Sequence, residues 1–252
     1  VLRREIIKYC HEGLQGGHHG WKKTSQQVRQ RFFWAGIAKE VRAYVKACVP
    51  CCLAKTPTAS RFGYLQSFDT IEAFDTVAID ILSFTGGASL GTNGEQHVLI
   101  ILDVFSHFLI LVPLADRRMT TICAAVIHKL FVPWGAPKRI VADQEFTAVM
   151  FKDLLALLQT EANYVSAYHS SSNPAERYCQ HVQVMLRTFL KEFPSSAHGG
   201  SWKGEWVDYL PFVAASHNAS TYFNSGFTDS SVSPFEIVTG RRYRFPQDLG
   251  FI

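Results

Sequence analysis

Phe74-Asp75-Thr76-Val77-Ala78-Ile79-Asp80-Ile81-Leu82-Ser83 is the stretch from which the rest of the chain can be ordered. Val77, Ile79 and Ile81 alternate with Thr76, Ala78 and Asp80, and a period of two belongs to a β-strand. The pattern predicts a strand with one aspartate on its less apolar face. Downstream, Gly86, Gly87, Gly91, Asn93 and Gly94 mark a turn-rich loop over 84–95. Val98 to Leu114 is the longest apolar run, but Asp103, Ser106 and His107 break it. It therefore reads as two buried strands, about 97–103 and 107–113, rather than a membrane span. A helix about 120–132 leads to a strand, Arg139–Ala142, that ends at Asp143. A helix about 148–159 and a strand about 162–166 follow. Asn173-Pro174 then opens a long helix with Val182, Leu186, Phe189 and Leu190 as its apolar stripe. Three strands, then helix, strand, helix, strand and helix predict an α/β fold: a mixed sheet flanked by helices. One more helix, about 205–218, and the segment Arg241–Pro246 complete the chain.

Upstream the pattern is helical. Thr24-Ser25-Gln26-Gln27 has the form of a capping box, with Val28 and Phe32 following at helical spacing. Ile37, Val41, Tyr44, Val45 and Cys48 mark one face of a second helix. His11 and His18 have six residues between them, His18 and Cys48 have 29, and Cys48 and Cys51 have two. Zinc takes four nitrogen or sulfur ligands tetrahedrally, and two close pairs joined by a helical insert can supply them. A segment this short buries little apolar surface, so metal binding becomes its folding energy. The expected organisation is a His-His-Cys-Cys zinc-binding helical domain over 1–55 and a linker over 56–73. The sheet domain then covers 74–220, with a carboxyl-terminal extension over 221–252.

Of the 252 residues 47% are hydrophobic and 18% charged, which fits a globular protein. Charge is uneven: residues 1–60 carry 11 Lys or Arg against 3 acids, whereas 61–252 carry 14 against 18. A basic module beside a nearly neutral one suits a polyanionic partner. Six cysteines with no secretory leader read as metal ligands or free thiols of a reducing compartment. Cys10, Cys52, Cys123 and Cys179 read as ordinary small side chains.

Asp80 lies within a strand, Asp143 ends a later one, and Glu176 falls in the first turn of the long helix. Two-metal phosphoryl transfer needs acids converging from separate elements, and hard oxygen ligands suit magnesium or manganese. Each acid also has a plain structural role open to it. Asp80 can be solvated on a half-exposed face, Asp143 can be a turn residue, and Glu176 can complete a capping box with Asn173.

Several motifs together resemble the integrases of gypsy-type long-terminal-repeat retrotransposons and the host genes derived from them. In the amino-terminal part these are His11, Gly17-His18-His19-Gly20, Lys23-Thr24, Arg31-Phe32-Phe33-Trp34, Cys48-Val49-Pro50-Cys51 and Lys55. In the core they are Ile79-Asp80, Leu102-Asp103-Val104-Phe105-Ser106, Val141-Ala142-Asp143, Glu145-Phe146-Thr147, Ala167-Tyr168-His169 and Asn173 through Glu176-Arg177. Asn218, Ser233-Pro234-Phe235-Glu236 and Thr239-Gly240-Arg241 match the closing pattern. The resemblance implies a zinc-binding helical domain followed by a ribonuclease-H-like catalytic core. It implies structural zinc at His11, His18, Cys48 and Cys51, the Gly-His-x-Gly pattern choosing His18 over His19. It also implies catalytic Mg²⁺ or Mn²⁺ at Asp80, Asp143 and Glu176. The activity implied is DNA 3′-end processing and strand transfer by a nuclear homo-oligomer acting on DNA, with no membrane partner and no small-molecule substrate. Lys22, Lys23, Arg29, Arg31 and Lys46 are the candidate phosphate contacts.

The departures from that family lie around the acids. Asp143-Gln144-Glu145-Phe146 is two residues shorter than the family turn and lacks its glycine, and the approach from Asn173 to Glu176 is one residue short. A glycine-dependent turn that loses residues is expected to move its ends, and reacting groups tolerate little displacement. The family's carboxyl-terminal DNA-binding domain does not occur in the 252 residues. An alternative function follows: a host-adopted, catalytically inactive integrase serving as a nucleic-acid- or protein-binding module.

Overall fold

The computed structural model describes residues 2–13, 16–54, 70–84, 91, 93–165, 173–192, 206–221 and 232–245. Most of the expected linker and much of the glycine-rich loop lie outside them. The chain divides into two compact units, one of 1–58, 184–204 and 211–252, the other of 59–183 and 205–210.

Among the described residues of the second unit, five strands form one sheet: β1 (Thr76–Ser83), β2 (His97–Asp103), β3 (Leu109–Leu114), β4 (Arg139–Asp143) and β5 (Glu161–Val165). Their order is β3-β2-β1-β4-β5. β1 and β2, and β2 and β3, pair antiparallel; β1 and β4, and β4 and β5, pair parallel. This is the expected mixed, ribonuclease-H-like sheet. β1 is its middle strand, so Thr76 through Asp80 are buried on both faces. The period-two alternation suggested one half-exposed face. A central strand covered by helices on both sides has none.

Asp103 closes the β2–β3 turn. Its carboxylate accepts the backbone N–H groups of Phe74 (2.9 Å) and Ser106 (2.8 Å) and the Ser106 hydroxyl. It is fully buried, and these donors, with a longer bond from the Phe105 N–H at 3.4 Å, compensate that burial. At the start of β1, Trp134 stacks on Phe74 with centroids 4.6 Å apart.

Helix α5 (Met119–Val126) runs through a π turn (Ile127–Phe131) into the single-turn α6 (Val132–Trp134). Pro133 lacks an N–H just beyond the π turn, and Gly135, with φ 86°, ends the helix. Helix α7 (Val149–Leu157) packs with α5 and β5. Helix α8 (Pro174–Glu192) buries Val182, Met185, Leu186 and Phe189. Met185 takes the place expected of Leu190, which is 36% exposed.

In the first unit α1 (Leu2–Glu12), α2 (Trp21–Arg29) and α3 (Ile37–Ala47) enclose Ile7, Cys10, Val28, Ile37 and Val41. A short α4 (Val49–Ala54) follows α3 directly. Helix α2 begins at Trp21 with Gly20 as its cap and no side-chain cap bond. Thr24 is therefore inside the helix, and the expected capping box does not form. Helices α9 (Trp206–Ala219) and α10 (Pro234–Thr239) come last. Ser233 and Glu236 build a reciprocal capping box on α10. No helix among the described residues is long and apolar enough to cross a membrane.

Candidate metal centre and acidic site

His11 sits in the last turn of α1, and the chain doubles back through Gly17 (φ 56°) and His18 (φ 49°). The His18 N–H donates to the His11 carbonyl at 2.9 Å, which closes that loop. Gly17 has a second reason to lack a side chain: a Cβ there would overlap the Ser216 hydroxyl. Cys48 caps α3 in extended geometry, and Cys51 follows in α4.

The four ligand atoms lie within 4.8 Å of one another, and all four residues are buried. Cys48 Sγ is 3.4 Å from His18 Nδ1, and Cys51 Sγ is 3.4 Å from His11 Nε2 and 3.5 Å from His18 Nδ1. Zinc bonds of about 2.3 Å to sulfur and about 2.0 Å to nitrogen, at tetrahedral angles, imply a sulfur–nitrogen edge of about 3.5 Å. The residues fit the ion. Burial first, and then the neighbouring Cys51, push the Cys48 thiol up to about 12; a zinc ion would offset that by holding the thiolate.

Behind the ligands, His11 Nδ1 lies 3.4 Å from Thr24 Oγ1, and the Thr24 hydroxyl donates to the His19 carbonyl at 3.2 Å. Thr24 thus orients a metal ligand instead of capping a helix. His19 is outside the ligand set. Its Nε2 is 2.7 Å from Ser220 Oγ and 3.2 Å from Ser216 Oγ, within the same unit.

The three acids come from three elements. Asp80 lies in central β1 and is 9% exposed; Asp143 ends β4, the parallel neighbour of β1; Glu176 is in the first turn of α8. The Asp80 carboxyl is raised above the usual range by burial, and the charges of Asp143 and Glu176 raise it further. Asp80 Oδ1 accepts its neighbour's N–H, from Ile81, at 2.8 Å, and Oδ2 accepts the Cys179 thiol at 3.0 Å. Asn173 Nδ2 donates to Asp143 Oδ1 at 3.1 Å and to the Ile79 carbonyl at 3.2 Å. The His-Cys set is much tighter than these acids: no acidic group of that closeness occurs among the described residues. Cys179, expected as an ordinary small side chain, touches Asp80, and its thiol is pushed up by burial and then by that carboxylate.

The shortened segment after Asp143 forms a single 3-10 turn, Gln144–Phe146. No residue in it has positive φ, so the turn does without the glycine. Arg117 pairs with Glu145 beside it.

Among the proposed phosphate contacts, Lys22, Arg29 and Lys46 are exposed, and Arg31 is partly buried. Lys23 is partly buried, and desolvation lowers its ammonium to about 8. Lys22 and the exposed Arg42, whose place beside Trp21 leaves no mark in the sequence pattern, lie 6.0 and 5.4 Å from the Trp21 ring centroid.

Residues 1–57 match the family described as Integrase zinc binding domain. Over 223 residues the chain is 27% identical to Gypsy retrotransposon integrase-like protein 1 of Bos taurus, covering 86% of this chain and 41% of that protein. It is 27% identical over 242 residues to the Transposon Tf2-3 polyprotein of Schizosaccharomyces pombe, covering 94% of this chain and 17% of that one. The chain thus spans well under half of these relatives. In fold it is similar to a chain of the cryo-EM structure of the simian T-cell lymphotropic virus intasome in complex with PP2A regulatory subunit B56 gamma. The TM-score is 0.58 at 13% identity, covering 95% of this chain and 74% of that chain.

Proposed function

We propose that this chain, similar in sequence to gypsy-type integrases and in fold to an intasome protein, is the zinc module and catalytic core of a polynucleotidyl transferase. It would trim DNA 3′ ends and join them to target DNA in the nucleus, as a homo-oligomer. The observation that carries the reading is that Asp80, Asp143 and Glu176 come from three separate elements, with Asp80 buried and its carboxyl raised by that burial and then by the charges of the other two. A buried carboxylate beside two others is a hard-oxygen donor set suited to Mg²⁺ or Mn²⁺. Bound there, such ions would polarise the phosphate and activate the attacking oxygen.

The chain's own residues do the rest. β1 and β4 hold Asp80 and Asp143 on adjacent strands, and α8 carries Glu176 in its first turn. Lys22, Arg29 and Lys46 supply exposed charge for phosphates, giving affinity that does not depend on base sequence and weakens with salt. Burial of Asp80 strengthens the electrostatic contacts it makes.

A second reading, binding without turnover, is favoured by the engagement of both Asp80 oxygens, by the Ile81 N–H and the Cys179 thiol. One assay separates the two. The protein is incubated with Mn²⁺ or Mg²⁺ and a DNA duplex ending in the parent element's terminal repeat. The transferase reading expects shortened and joined strands that disappear in Asp80→Asn and Glu176→Gln. DNA binding with no product in any of the three proteins would leave the binding module.

A further inference from the structure

Asn173, Glu176 and Cys179 follow one another at intervals of three, so they share one face at the start of α8. That face meets the acidic site at two further points besides Glu176. Both donors of the Asn173 side chain are used there. Its Nδ2 donates to Asp143 Oδ1 (3.1 Å) on β4 and to the Ile79 carbonyl (3.2 Å) on β1. Its Oδ1 accepts the Ala175 N–H (3.0 Å) and so caps the helix. Asn173 is 1% exposed. Two turns on, the Cys179 thiol donates to Asp80 Oδ2 (3.0 Å), while the Ile81 N–H holds Oδ1 (2.8 Å). Each aspartate is therefore gripped by the helix that carries the glutamate.

We propose that the first turns of α8 act as a clamp, with Asn173 and Cys179 as positioning residues for Asp143 and Asp80. The clamp rests on the reading of the three acids as a divalent-cation site. It also accounts for the short approach to Glu176. A single carboxamide spans two strands and the helix start, and so anchors the helix to β1 and β4. Hydrogen bonds of this kind orient ligands before the ion arrives, and their loss typically lowers metal affinity by about 10- to 100-fold.

The test uses the full, zinc-loaded chain and Mn²⁺ alone as probe, with affinity measured by calorimetry and Asp80→Asn defining the specific component. Cys179→Ala removes the thiol donor, and Cys179→Ser restores a donor. Asn173→Ser keeps an oxygen to cap α8 but cannot reach Asp143. Cys179→Ala and Asn173→Ser are each expected to weaken Asp80-dependent Mn²⁺ binding about 10-fold. Cys179→Ser should recover most of that loss, which a purely packing role for the sulfur would not produce. Thermal melts of the same variants check that each stays folded. Wild-type affinity in both Cys179→Ala and Asn173→Ser would overturn the clamp while leaving the acidic site standing. Absence of any Asp80-dependent Mn²⁺ binding in the wild type would overturn the site and the clamp together.

Discussion

Two adjacent histidines in one loop have different roles. His18 joins the tetrahedral set, whereas His19 turns toward Ser216 and Ser220. His18→Ala is expected to abolish zinc retention. His19→Ala should keep one zinc per chain yet lose about 1–3 kcal/mol of stability, the cost of leaving buried hydroxyls without their imidazole. Zinc stoichiometry and denaturant melts of the two variants check this. Lys23 makes a second residue-scale prediction. Its amine titrates near 8 in the fold and near 10.5 when exposed. Below about 8 the lysine is charged in both states, so the folded state bears the full burial penalty. As pH rises from 8 through 10.5 the folded state releases its proton first, and the penalty fades. Lys23→Met should therefore stabilise the protein at pH 7 by up to about 3 kcal/mol, with the advantage shrinking towards pH 10.5. Denaturation of both proteins across that range measures it. The zinc ligands were legible in the sequence because their pairs are local and their spacing is a chemical requirement. Thr24 and Cys179 were not: Thr24 mimics a helix cap, and Cys179 meets Asp80 across 99 residues of chain.

At the level of elements, the succession of strands and helices along the chain followed from periodicity, since burial and period are linked. What periodicity concealed was the two-sided burial of β1. Alternating Thr, Ala and Asp side chains look solvated until helices cover both faces of the sheet. The shortened turn after Asp143 also departs from expectation, because a 3-10 turn spans the gap with ordinary backbone angles. Asp103 belongs to this scale as well. Asp103→Ala leaves the Phe74 and Ser106 N–H groups without their acceptor and should destabilise the fold by about 3 kcal/mol, while zinc content stays unchanged. Denaturant melts with parallel zinc assay test both halves of that statement.

For the whole molecule, the order of motifs along the chain suggested consecutive domains, while the compact unit around the zinc site also contains 211–252. Contacts such as His19 with Ser220, 201 residues apart, leave no local trace for periodicity to detect. Chelating the zinc should deprotect backbone amides in α2 and α3, and in α9 from Pro211 onward. Amides of β1 and β2 should stay protected, with hydrogen exchange as the readout. Charge distribution yields a further prediction. If Lys22, Arg29 and Lys46 contact phosphates, each change to Glu should reduce the slope of log affinity against log salt by about 0.9 for duplex DNA. Salt titrations of DNA binding measure that slope.

The account turns on whether Asp80, Asp143 and Glu176 hold divalent cations. The most direct measurement is anomalous diffraction from crystals of the zinc-loaded protein soaked in Mn²⁺. Manganese density is expected at ligand distance from the Asp80 and Asp143 carboxylates, and is expected to be absent in Asp80→Asn crystals. Density confined to the zinc site, with the three carboxylates unchanged at saturating Mn²⁺, would contradict that expectation.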